Sequence, residues 1–256
     1  MKRYIRSYFI KMGCVCLCFM VFYFVEKASL YHMHLNPVSF LDFICKYIEI
    51  DKKYPYIDLS RLIFHLSPVF IFLFMFGMSL HEDWRTENIY RITRYHSRTN
   101  LYRSRIIILS IESLIVSILY IIILLLLYNS TGASIDTNTI LSAAFILTIF
   151  SLLLISESMF LSLISMKIGT SYGFCISIFL LIVSLKFSIY IIDLHEKIAK
   201  FIGAFIFWIN YTRCIKSSEV DMFDIFVSIV QTFFMIAIGY ITTQTYDIIG
   251  SNTNQE

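Results

Sequence analysis

Two carboxylates stand where a carboxylate is costly. Glu157 sits in the middle of the apolar run LLLISESMFLSLIS, and Glu112 lies two turns into IIILSIESLIVSILYIIILLLLY. Ionisable side chains in such runs face a bundle interior or a water-lined path. Each acid is therefore either a substrate or coupling contact on a pathway, or a protonated or paired acid that holds helices together, and both readings stand. Nothing beside them completes a catalytic set. The serines lack a Gly-x-Ser-x-Gly or Ser-x-x-Lys context, and no His-Glu-x-x-His occurs. His65 and His81 lie near opposite ends of one apolar segment, while His32 and His34 alternate in a polar one, so no metal site is expected. There is no Gly-x-x-x-x-Gly-Lys-Ser/Thr loop to cradle a nucleotide's phosphates. Cys14, Cys16 and Cys18 read as small apolar residues in a span, and Cys45 and Cys214 are the one pair that could meet outside the membrane. The chain is expected to be no enzyme, with no catalytic residue, no metal and no cofactor of its own.

The densest charge is HEDWRTENIYRITRYHSRTNLYRSR, residues 81–105, with arginines at 85, 91, 94, 98, 103 and 105 between two oily flanks. If residues 84–105 form one helix, Arg91, Arg94, Arg98 and Arg105 fall within roughly 60° of arc. Such a stripe is a topology signal resting on anionic lipid, or a docking surface for a cytosolic partner. Nucleic acid is the weakest partner, because no fold presents the stripe. Trp84, Tyr90, Tyr95 and Tyr102 are interleaved with the arginines. They add rigid contact area that a topology signal does not need, which favours docking.

The elements that carry these residues follow from the composition. Of 256 residues, 58% are hydrophobic and only 15% charged. A soluble domain of this size could not hide so much apolar surface, so the surrounding solvent is mostly lipid. Crossing the hydrocarbon takes about 20 apolar residues in a helix. Six windows qualify, at approximately 8–26, 62–80, 106–128, 139–165, 171–193 and 225–243. Runs such as IIILLLLY do not alternate apolar with polar positions, so helices and not barrel strands are expected. The basic start MKRYIRSYFIK precedes an apolar stretch, but Glu26 spoils the only cleavage point at Ala28, and the segment reads as an uncleaved first span.

Orientation follows from charge. Lys2, Arg3, Arg6, Lys11, the six loop arginines and Lys167 all fall on one side, which the positive-inside rule makes cytoplasmic, with both termini. The opposite segments, 26–61 and 186–224, each balance five basic against five acidic residues. NPVSFLDFICKYIEI predicts an amphipathic outer helix, with Asn36 as N-cap and Pro37 at its first position. KIAKFIGAFIFWINYTR, residues 197–213, holds an apolar run too short to cross, and predicts a re-entrant or interfacial helix anchored by Trp208 and Tyr211. The expected fold is thus all-α and integral to the membrane: six transmembrane helices in one domain, interfacial or re-entrant outer helices, and a helical cytoplasmic loop between spans two and three.

This organisation, with the local run IYRITRYHSRTNLYRSRIIILSIESLI at residues 89–115, resembles the permease subunit of type-2 ABC exporters, nearest the small permeases of bacteriocin and lantibiotic export or self-immunity. The resemblance implies that the arginine loop is a coupling helix seated on a separate cytoplasmic ATPase, which holds the ATP and magnesium. Trp84, Arg91, Arg94, Arg98 and Tyr102 would make that contact. It also implies a second permease copy or a sibling, a peptide or amphipathic substrate passing near Glu157 and Glu112, and a bacterial plasma membrane. The alternative is a stand-alone membrane immunity or sensor protein that binds a toxin or partner without ATP.

Overall fold

The computed structural model describes residues 2–33, 37, 39–48, 66–77, 97–194, 202, 203, 206, 211 and 222–245. Among them there are helices and no strand. In chain order these are α1 (Lys2–Met33), α2 (Phe40–Ile48), α3 (Leu66–Gly77), α4 (Arg98–Ser130), α5 (Thr137–Ile168), α6 (Thr170–Leu194) and α7 (Met222–Thr245).

Four helices are long and apolar enough to cross a membrane: Tyr8–Leu30, Thr99–Ser130, Thr137–Ile168 and Met222–Gln244. They cover the first, third, fourth and sixth expected windows. Within the second window apolar helix is described over Leu66–Gly77, and α6, Thr170–Leu194, runs through the fifth, with Thr170–Ser184 as its described apolar stretch. The chain is a helical membrane protein with four such spans among its described residues.

Local chemistry sets the helix starts. Ser97 is extended, at φ −160° and ψ 150°, and its hydroxyl accepts the Asn100 N–H at 3.1 Å, so α4 begins at Arg98. The expected single helix over 84–105 is therefore interrupted: a residue in that conformation cannot lie inside an α-helix, and Arg98 and Arg105 belong to α4. Ser39 plays the same part for α2, accepting the Asp42 N–H at 3.1 Å. That helix starts at Phe40, three residues beyond the expected Pro37. Asp136 caps α5, accepting the Thr139 N–H at 2.8 Å and the Thr139 hydroxyl at 2.6 Å. These two donors hold its carboxyl below the usual carboxylate range. The α4–α5 turn uses Gly132 at φ 85°, and α5 closes on Gly169 at φ 89°, whose N–H bonds the Ser165 carbonyl at 3.0 Å.

Ring contacts give the helix directions. Phe22 of α1 meets Tyr120 of α4 at 6.4 Å, while Lys11, one end lower on α1, acts electrostatically on Glu112 of α4. Residue numbers rise together along the two helices, so α1 and α4 are parallel. Two parallel helices in succession need a return between them. The end of α3 supplies it, with Phe76 6.3 Å from Tyr8 near the start of α1. Tyr120 and Phe150 pair at 4.7 Å across the antiparallel α4–α5 hairpin. Ser156 of α5 bonds Thr232 of α7 at 3.0 Å, and Met159 lies against Gly239, so α5 and α7 are parallel. At the other end of α4, Phe40 and Phe43 of α2 each sit 5.6 Å from the Tyr128 ring.

The centre of the bundle is α5. Leu153, Leu154, Met159 and Leu161 are fully enclosed, and α3, α4, α6 and α7 all pack on this helix. Small side chains permit the approach. A Cβ on Gly173 of α6 would lie 2.9 Å from the Ser165 backbone, so the α5–α6 seam closes on hydrogen.

Candidate functional site

The polar side chains inside this bundle concentrate toward the end where α1 and α4 begin. Glu112 is 3% exposed, and its Oε2 has no hydrogen-bond partner among the described residues. The charges that act on it are Arg105, two turns earlier on the same face of α4, and Lys11 on α1. Arg105 is itself buried, at 7% exposed. Glu112 thus lies within electrostatic range of a cation on each of the two helices.

Glu157 is half-buried on α5. Its neighbours in sequence both leave their own helix. The Ser156 hydroxyl meets Thr232 of α7, and the Ser158 hydroxyl donates to the Gly77 carbonyl of α3 at 3.3 Å. Ser162, one turn on, donates to the same carbonyl at 3.0 Å. Counting from the Tyr120–Phe150 pair, Glu112 and Glu157 lie at the same height on the α4–α5 hairpin, about 12 Å nearer its open end at 1.5 Å per residue. The two acids thus share a layer with Ser158 and the Gly77 carbonyl, with Lys11 of α1 acting on Glu112 and Arg105 two turns nearer the open end. In lipid such a layer holds helices by hydrogen bonds, and among the described residues Glu112 and Glu157 are acids that a cationic group could meet at that level.

Of the residues expected to meet an ATPase, Trp84, Arg91 and Arg94 lie outside the described residues. Arg98 opens α4 directly after the Ser97 cap. Tyr102 turns inward: it is 3% exposed, donates its hydroxyl to the Ile236 carbonyl of α7 at 2.6 Å, and packs its ring 5.8 Å from Tyr240. Its neighbour Arg103 is exposed. Cys14, Cys16 and Cys18 are free thiols on α1. Cys214 lies outside the described residues, and so does most of the expected helix at 198–209.

The few described residues of that last segment are deep. Gln231 Nε2 donates to the Gly203 carbonyl at 2.7 Å. Gln231 is nine residues past the start of α7 at Met222, about 13 Å along its axis. Tyr211 is buried with its ring 5.9 Å from Phe150. Sequence reading missed this contact, the double acceptance at Gly77 and the buried Asp224 and Glu26. A lone Gln inside an apolar span was the available signal for the first, because a buried amide needs a partner.

No family model matches the chain, and neither a curated protein nor a solved structure matches it.

Proposed function

We propose that this chain is the membrane-spanning permease subunit of an ATP-driven exporter, served by a separate cytoplasmic ATPase that holds the ATP and magnesium. The observation that carries the reading is the gathering of basic residues at one end of the bundle. Tyr8, Phe76, Ser97 and Tyr240 mark that end, and Lys11, Arg103, Arg105 and Lys167 lie toward it. In sequence, Arg85, Arg91 and Arg94 fall between α3, whose Gly77 lies at that end, and α4, which begins there after Ser97. The positive-inside rule then supports a cytoplasmic face, with both termini on it, in a bacterial plasma membrane.

The alternation of directions supports six crossings, with α3 and α6 as the second and fifth. The buried Gly203 carbonyl and Tyr211 support a re-entrant segment that caps the outer side. In this reading Trp84, Arg91, Arg94 and Arg98 dock the ATPase, and the Ser97 break separates the docking segment from the span it drives. Tyr102 works on the membrane side of that break, fastening α4 to α7. The permease acts as a pair, two copies or one copy and a sibling. The cargo is an amphipathic or cationic peptide, or a lipid-like molecule, exported or expelled for self-immunity past the layer of Glu112 and Glu157.

Purification from the source membrane in mild detergent, with mass spectrometry of what co-purifies, tests the proposal. An ATPase with a phosphate loop is expected, and Arg94→Gln with Arg98→Gln should release it while membrane insertion persists. Truncating one partner of a desolvated charged contact costs on the order of 2–5 kcal/mol. If no ATPase co-purifies, the reading fails, and a stand-alone immunity or sensor protein takes its place.

A further inference from the structure

The last five described residues of α3, Leu73–Gly77, form a π turn, one residue wider than the α-helix that precedes it. Such turns are rare and leave the hydrogen-bond ladder locally mismatched. Here the turn is also held from a second helix. The Gly77 carbonyl accepts both Ser158 at 3.3 Å and Ser162 at 3.0 Å, which share one face of α5 a single turn apart. The approach is close: a Cβ at 77 would sit 3.1 Å from Leu161 Cδ2 and 3.1 Å from Leu73 Cδ2, so both leucine side chains would have to give way. Upstream, Leu66, Val69 and Phe72 are at most 1% exposed and hold the rest of the helix.

We propose that Leu73–Gly77 is a register switch: the two serine hydroxyls of α5 hold the π turn, and releasing Gly77 lets it resolve into α-helix, rotating this end of α3 against its anchored start. An α-helix and a π turn of the same sequence differ by one residue of register, about 1.5 Å and 100°. Elements that choose between two discrete packings are what transmit motion through a bundle that cannot deform continuously. The rotation would carry Phe74 away from Phe174 of α6, now at 5.9 Å, and Phe76 away from Tyr8 of α1, now at 6.3 Å. Glu157 stands between the clamp at Ser158 and the Ser156–Thr232 bond to α7, so release also loosens one side of its surroundings. The switch goes beyond the transport reading and needs no ATPase, so it can be examined in the isolated chain.

The test uses cysteine pairs in a chain otherwise stripped of its six cysteines, reconstituted in lipid and oxidised mildly. The pairs are Phe74→Cys with Phe174→Cys, Tyr8→Cys with Phe76→Cys, and Phe22→Cys with Tyr120→Cys as the remote reference. With the serines intact all three pairs cross-link. In Ser158→Ala/Ser162→Ala the first two yields should fall about fivefold or more, the population change expected from losing two hydroxyl hydrogen bonds. The reference should hold, and Ser162→Thr alone should keep the native yields. Deleting Met75 removes the extra residue, so the yields there should no longer depend on the serines. Unchanged yields in the double-alanine chain overturn the proposal, as does serine dependence that survives the deletion. Should the reference link also fall in the double variant, Ser162→Ala is read in its place, with the same two outcomes.

Discussion

The hydroxyl of Tyr102 lies 2.6 Å from the carbonyl oxygen of Ile236, one turn from a glycine whose absent side chain makes room for it. A Cβ on Gly239 would stand 2.6 Å from that hydroxyl and closer still to Met159 Cε. The contact joins the first turns of α4 to α7, directly beyond the break at Ser97. Tyr102→Phe keeps the ring against Tyr240 and removes only the bond, so a loss of about 0.5–1.5 kcal/mol is expected. Gly239→Ala should cost more, about 1–3 kcal/mol, because the neighbours must move. Denaturant titration in detergent micelles measures both, and a Gly239→Ala chain as stable as the parent would refute the close packing.

The α5–α6 seam gives an internal comparison. Gly173→Ala places a methyl against the Ser165 backbone, which cannot step aside as a side chain can. Gly13→Ala on α1 meets nothing within 4 Å. Thermal unfolding should show a clear drop for the first. The second should hold or gain slightly, since alanine favours the helix over glycine by about 0.8–1.0 kcal/mol.

Glu112 should behave as a counter-charge. Glu112→Gln removes the acid on which Arg105 and Lys11 both act, and breaking a fully buried ion pair costs about 3–5 kcal/mol. A smaller loss is expected here because Lys11 is only half-buried. A Lys11→Met/Glu112→Gln chain should be more stable than the sum of the single losses implies. Strict additivity in that double-mutant cycle would mean the two helices are not joined through this pair.

Under the proposed permease role, Glu157 separates transport from assembly. Glu157→Gln retains shape and most hydrogen bonding but cannot ionise. In reconstituted vesicles with the native cargo, uptake or export should fall while yield and oligomeric state stay unchanged. Full transport by the Gln variant would assign the acid to structure, and Glu157→Leu would then reduce expression instead.

Asp136 fixes a pH dependence at the α4–α5 turn. Its folded carboxyl titrates below the ordinary carboxylate range, so the cap is complete above about pH 4, the usual aspartate value, and is lost as pH falls through the lower folded value. Amide exchange at residues 137–140 should therefore rise on acidification, after allowance for the intrinsic rate. Asp136→Ala should show the same faster exchange at neutral pH. An acid-insensitive first turn of α5 would contradict the cap.

The helical membrane character is a one-dimensional property, written in run length, and follows from stretches such as LLLISESMFLSLIS alone. The caps at Ser97 and Asp136 reach only three residues ahead, yet the reading of 84–105 as one helix passes over Ser97. Partnership is different, because lipid accepts any apolar face and gives the sequence no reason to mark which face meets which helix. Tyr102 reads as one more aromatic among arginines, and only α7 alongside it decides that its hydroxyl points inward to Ile236. Likewise Ser158 and Ser162 read as a small-residue seam. Their common target exists only because α3 widens into a π turn at Gly77, beside α5. Such contacts join residues between 81 and 134 positions apart, and folding decides them by requiring every polar group removed from water to find a partner within the protein.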